Sequence, residues 1–196
     1  GCVIVFAAGN ANRPINGTVV ERNWQKNILK GDTPWLSGFT VHPDVIAVAA
    51  CTSLSKKAAY SNWGKNISIC APSNNAPPGM WFQQTGFVYT QPAIATSLSG
   101  LGMFTTDQLK AAGYDPGNFT NNFGGTSSAT PVVAGVAALI LSANPDLTAQ
   151  QVKRILQETA DKIVDSDADP QLGLRGGSYD DNGHSQWFGY GKVNAT

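Results

Sequence analysis

Ser127 stands in FGGTSSATP, residues 123–131, directly before VVAGVAALILSAN. A serine hydroxyl attacks a carbonyl efficiently only when a base takes its proton. A helix amino end favours such an attack, because free N–H groups and the positive end of the dipole face a developing oxyanion. The same position also suits an ordinary helix N-cap. Gly124 and Gly125 leave room for a substrate backbone to come close. An acyl-transfer site needs a second oxyanion donor, often a side-chain amide. Asn10 closes the apolar run VIVFAAGN. It is well placed to be that donor, since sites on parallel sheets gather at the carboxyl ends of strands.

Two histidines could act as the base, His42 and His184. His42, in VHPDVIAVAA, reads as a loop histidine with a local hydrogen bond. Ser127, Asp180 or Asp181, and His184 follow the chain order of an α/β-hydrolase triad, which would make a self-contained esterase-like site. Three features oppose it. Ala129 stands where a nucleophile elbow carries Gly, NNFGG does not read as a strand leading into the serine, and Asp181-Asn182-Gly183 is an ordinary turn. The three cysteines, Cys2, Cys51 and Cys70, lack metal-ligand spacing and read as buried free thiols beside apolar runs. The run Asp165 to Asp169 starts like a calcium loop. It has Pro170 where Gly is needed and Gly176 where Glu is needed, so it reads as a solvated acidic loop.

These residues must be positioned by a small set of elements. Residues 2–8 and 45–51 are continuous apolar runs, as expected for parallel strands buried on both faces. A short third strand falls around Ile67–Cys70 and stops at Pro72. From Ser127 to Ala143 nearly every position is small or apolar, which predicts a helix buried all round, with Pro131 in its first turn. Asn144-Pro145 ends it. Thr148 and Gln151 form a capping box for a second helix over about 148–161, with Val152, Ile155 and Leu156 on one face. Residues 11–44 and 73–124 read as long surface excursions. Within the second, TTDQLKAAGY suggests one or two helical turns, and PPGMWFQQTGFVYTQP suggests the private core of a loop. The tail WFGYGKVNA is expected to pack back on the body.

At 196 residues and 42% apolar, the chain is one domain's worth of polypeptide with enough apolar side chains for a core. Lys plus Arg and Asp plus Glu are 13 each, so no basic stripe points to nucleic acid. No apolar run reads as a membrane span and no signal-peptide pattern opens the sequence.

VIVFAAGN, HPDVIAVAA, SNWGKNISICAPS, GGTSSATPVVAGVAALIL and WFGYGKVNA occur in the order found in subtilisin-like serine peptidases. The chain resembles the C-terminal portion of a subtilase catalytic domain over residues 1–196. The resemblance implies an α/β fold, a three-layer parallel sheet with helices on both faces, of which these residues form the C-terminal half. It implies a serine endopeptidase with a polypeptide substrate, Ser127 as nucleophile and Asn10 as oxyanion amide. Ala7, Ala8 and Gly9 would wall the pocket for the residue before the cut, with Val41 at its back and Gly125 and Thr126 alongside. Val41, larger than Gly, would favour a small residue there.

Subtilases place their Asp and His before the AAGN strand, and neither a D-[ST]-G nor an H-G-T stretch is present. Acid and base are therefore expected from a complementary N-terminal segment. Without it, the sheet edge would be open and prone to association, and the chain alone would be inactive or act as a scaffold. No cofactor is required. Calcium is common in subtilases, but Ser68 replaces the aspartate of one family site, so no metal residue is assigned. The resemblance leans toward a secreted or periplasmic protein.

Overall fold

The computed structural model describes residues 1–19, 33–78, 98–108, 113–170 and 172–196. Strand β4, Val45–Cys51, is buried at every position, as its unbroken apolar sequence requires. β1, Ile4–Ala7, pairs with it in parallel, Ile4 opposite Val45. β5, Ile69–Pro72, pairs in parallel on its other side, Val48 opposite Ile69. Among the described residues the sheet order is β1–β4–β5, so β4 is central and β1 lies at an edge. β5 runs two residues beyond the expected strand and ends on Pro72, which has no N–H to donate to a ladder.

Alternation along β4 divides the core. Ile46, Val48 and Ala50, with Ile69 and Ala71 of β5, pack against two helices. Ala47, Ala49 and Cys51, with Cys70, pack against Ile15, Trp187 and Phe188. Among the described residues the second face is thus covered by the 11–15 turn and the C-terminal segment, not by a helix. The tail does pack back, since Phe188 is fully buried. Cys51 and Cys70 are buried free thiols, and burial raises the Cys70 thiol well above its ordinary range. Cys2 is exposed, contrary to expectation, because it precedes the first paired residue of β1.

Helix α1, Thr126–Ala143, buries Thr126, Ser128, Ala129, Val133, Val136 and Ala137. It is not buried all round: Ala134, Gly135, Ala138 and Leu139 face outward. Its length and mean hydropathy are enough to cross a bilayer, but here it lies on β1, β4 and β5 as a core helix. Helix α2, Ala149–Glu158, buries Val152 and Leu156.

The excursions hold more order than their composition suggests. Ala11, Asn12, Arg13 and Ile15 are buried, and β2, Asn16–Val19, pairs antiparallel with β3, Thr33–Leu36. β6, Met103–Thr106, pairs antiparallel with β7, Phe119–Phe123. Thr105 and Thr106 are therefore strand and not helix, while 109–112 lie outside the described residues. NNF likewise belongs to a strand, which corrects the reading of that segment as irregular. Of the aromatic stretch PPGMWFQQTGFVYTQP, everything after Pro78 lies outside the described residues.

Candidate active site

The turn after β1 is fixed by one side chain. Asn62 donates from Nδ2 to Ala8 O at 2.8 Å, and its Oδ1 accepts from the N–H of Ala11 at 3.0 Å and of Arg13 at 3.1 Å. Asn62 N–H also donates to Gly9 O at 2.9 Å. Gly9 has φ +102°, and a Cβ there would come within 2.5 Å of Asn62 Nδ2. Only glycine meets both conditions without strain.

That turn brings Asn10 to the amino end of α1. Asn10 Oδ1 accepts from Thr126 N–H at 2.8 Å and from Thr126 Oγ1 at 2.9 Å. Thr126 Oγ1 in turn accepts from Gly9 N–H at 3.0 Å. A backbone N–H can only donate, so the Asn10 atom facing it must be the oxygen. The amide nitrogen is thereby turned away, and it lies 3.2 Å from where a Cβ on Gly125 would be. Gly125 is the helix N-cap at φ +83°, and it makes no side-chain cap bond. Asn10, from another element, satisfies the first helical N–H instead.

Ser127 is therefore not the cap. It is exposed between buried Thr126 and buried Ser128. Ser128 N–H closes back on Gly125 O at 3.0 Å, and Thr126 N–H is held by Asn10. Asn10 Nδ2 and the Ser127 N–H remain as donors near an exposed hydroxyl at the positive end of a helix. This arrangement can stabilise an oxyanion forming on Ser127's target.

A buried set of hydroxyls, not singled out by sequence, clamps the Gly125 peptide from behind. Gly125 N–H reaches Tyr60 OH and Asn74 Oδ1, both at 3.1 Å. Gly125 O accepts from Ser73 Oγ at 2.8 Å and Ser128 Oγ at 3.0 Å. Tyr60 OH donates to Ser73 Oγ at 2.7 Å. Burial pushes the Tyr60 phenol up to about 12, so it stays a neutral donor and acceptor. A Cβ at Gly124 would collide with Asn74, which explains the paired glycines. Tyr60, Ser73 and Asn74 lie in SNWG- and APS-flanking segments, where a hydroxyl or amide after a buried strand was the only available signal.

The other predicted residues divide by position. Ala7, Ala8, Gly9, Gly125 and Thr126 gather around Asn10, Ala8 being buried. Val41 does not join them. It lines a depression with His42, Ser68, Lys153, His184 and Tyr190 at the amino ends of β4 and β5. His184 Nε2 meets Ile67 O at 2.8 Å, and Asp180 Oδ1 accepts from His184 N–H at 2.9 Å. That contact and a second N–H, from Asn182, hold the Asp180 carboxyl below its ordinary range. Ile67 precedes β5, whereas Ser73, which clamps Gly125, follows it. Four strand residues, roughly 13 Å, separate the two ends. The Ser127/Asp181/His184 triad is not assembled, because His184 sits at the wrong end of the sheet.

The acidic run is also not the solvated loop expected. Lys56 Nζ donates to Asp165 Oδ1 and Asp167 Oδ2, both at 2.9 Å. Lys57 Nζ donates to Asp169 Oδ2 at 3.1 Å, with the two side chains only 4% and 3% exposed. Burial lowers Lys57, with Asp169 opposing it. Burial would raise Asp169, but Lys57 and the N–H groups of Leu172 and Asn12 outweigh it and hold its carboxyl below 3.8. Asn12 Oδ1 and the carbonyls of Ala58 and Ala59 also accept from Lys57 Nζ. Lys56 and Lys57 thus face the three carboxylates of this loop. Among the described residues no cluster of three or more His, Cys, Asp or Glu could hold a metal.

Residues 1–191 match the Subtilase family, Peptidase S8. A calcium-dependent protease of Trichormus variabilis is 38% identical over 195 residues, covering 100% of this chain and 24% of that protein. Subtilisin DY of Bacillus licheniformis is 30% identical over 166 residues, covering 85% of this chain and 42% of that protein. The crystal structure of a serine protease of Aeromonas sobria superposes with a TM-score of 0.62 at 20% identity, covering 100% of this chain and 36% of that one. The chain thus spans about a quarter of the first relative and under half of the second.

Proposed function

The chain belongs to the subtilase family, and from that premise we propose that it supplies the nucleophile and oxyanion hole of a serine endopeptidase. Ser127 Oγ attacks the scissile carbonyl of a polypeptide. Its proton passes to a histidine held by an aspartate, both carried by a complementary N-terminal segment outside these residues. The carbonyl oxygen, now negative, accepts from Ser127 N–H and Asn10 Nδ2. Ala7, Ala8 and Gly9 form a wall for the residue before the cut, and Gly125 and Thr126 border it.

The observation that carries this reading is the Asn10–Thr126 contact. It supports this reading because Asn10 Oδ1 is engaged by Thr126, which leaves Nδ2 as the end of the amide that can donate. Preorganised donors of this kind cost no rearrangement in the transition state. We assign calcium no step in this chemistry. A secreted or periplasmic place of action accords with it.

A fluorophosphonate probe tests the proposal, applied to the chain with and without a polypeptide carrying the upstream Asp and His. Labelling that needs the upstream segment and disappears in Ser127→Ala supports it. Labelling of the chain alone, or none in either case, contradicts it, and the second result leaves a scaffold role.

A further inference from the structure

We propose that Lys57 and Asp169 are positioning residues for the oxyanion donor Asn10, acting through Asn12; this rests on the reading of Asn10 given above. Asn12 lies two residues beyond Asn10 and has φ +48°, a left-handed conformation. Asparagine is one of the few non-glycine residues that adopt it, because its short side chain can hydrogen-bond there. Here the bonds are direct. Asn12 Nδ2 donates to both oxygens of Asp169 at 3.2 Å, and Asn12 Oδ1 accepts from Lys57 Nζ at 2.8 Å. Asn12 N–H donates to Tyr60 O at 2.9 Å.

The arrangement makes a three-point brace. The ion pair comes from two distant segments, the turn that follows β4 and bridges back to Cys51, and the 165–169 loop. Asp165, on the same loop, accepts the Lys57 backbone N–H at 3.1 Å and the Lys56 ammonium at 2.9 Å. The loop is therefore pinned on both sides, and Asp169 cannot drift from Asn12. Asn62 holds the residues before and after Asn12, at Ala11 and Arg13. Between them, Asn62 and the ion pair fix every residue from 11 to 13. Asn10 then has one orientation from which to reach Thr126.

The test reads Asn10 through the bond it makes. Amide exchange of Thr126, whose N–H is held by Asn10 Oδ1, is measured in the complex with the upstream segment, with β4 amides as a control for global opening. Two variants are used. Lys57→Met with Asp169→Leu removes both charges together, which avoids leaving one buried charge unpaired. Asn12→Gly keeps the left-handed turn and the ion pair but cuts the link between them. The expected result is Thr126 exchange faster by about tenfold or more while β4 protection holds. Unchanged Thr126 exchange overturns the inference. If the paired variant unfolds, Asn12→Gly decides by the same criterion.

In the complemented enzyme, each variant is expected to lower kcat with little change in KM. The loss should vanish in an Asn10→Ala background, since a residue acting through Asn10 has nothing left to position. An additive loss in that background overturns the inference. If Ser127 proves unreactive in the unaltered protein, the function proposed above fails, and the exchange measurement still decides whether the brace holds Asn10.

Discussion

Thr126 does two things with one side chain. Its hydroxyl donates to Asn10 Oδ1 and accepts from Gly9 N–H, tying the donor amide to the turn that carries it. Thr126→Val keeps the shape and removes both bonds. It should lower kcat about tenfold through misplacement of the amide, with Thr126→Ser restoring most of it. Steady-state kinetics on the complemented enzyme check this; a valine variant with unchanged kcat would sink it. The ion pair supports a second prediction, on acid stability. The folded-state carboxyl of Asp169 lies below its unfolded value of 3.8. A depressed carboxyl contributes stability that is complete above the unfolded value and lost as pH falls through the folded one. Denaturant midpoints should therefore fall steeply only below about pH 4. Asp169→Asn should be less stable at neutral pH and show a flatter acid limb.

The elements show where sequence was legible. β4 could be read because seven consecutive residues are apolar and all are buried. The capping box of α2 could be read because both partners are local. Thr148 N–H donates to Gln151 Oε1 at 2.8 Å, and Gln151 N–H returns to Thr148 Oγ1 at 3.3 Å. Thr148→Ala should cost about 1 kcal/mol in thermal or denaturant unfolding, the usual size for a lost N-cap. A change under about 0.3 kcal/mol would show that α2 is held by Val152 and Leu156 alone. The β6–β7 ribbon was not legible, since TTDQ carries helix-like polar residues and the pairing partner lies across a loop. The start of α1 was half legible. GGTS marked a tight turn into a helix, but its cap comes from Asn10, 116 positions away. No local pattern encodes a contact of that range. The same holds for Lys57 and Asp169, where the acidic run was visible and its buried partners were not.

At the scale of the molecule, the described residues leave a strand edge and apolar surface uncovered. β1 is an edge strand, with Ile4 44% and Phe6 36% exposed, and Phe6 stacks on exposed Phe39 at 5.1 Å. Along α1, Ala134, Gly135 and Ala138 present a flat outer face, beside a Leu139 that is 61% exposed. A Cβ added at Gly135 would meet nothing within 4 Å. An unpaired strand edge and an uncovered apolar helix face each favour association. We propose that the segment bearing the Asp and His covers both and completes the sheet beside β1. Two outcomes then belong together. Alone, the chain should sediment as oligomers or aggregate at micromolar concentration. Mixed with the upstream segment, it should form a 1:1 complex in which Ser127 becomes reactive and the β1 amides become protected from exchange. A shared midpoint for complex formation and for Ser127 labelling would tie the edge to the chemistry. A chain that is monomeric and cooperatively stable by itself, with β1 amides already protected, would show that the edge needs no partner.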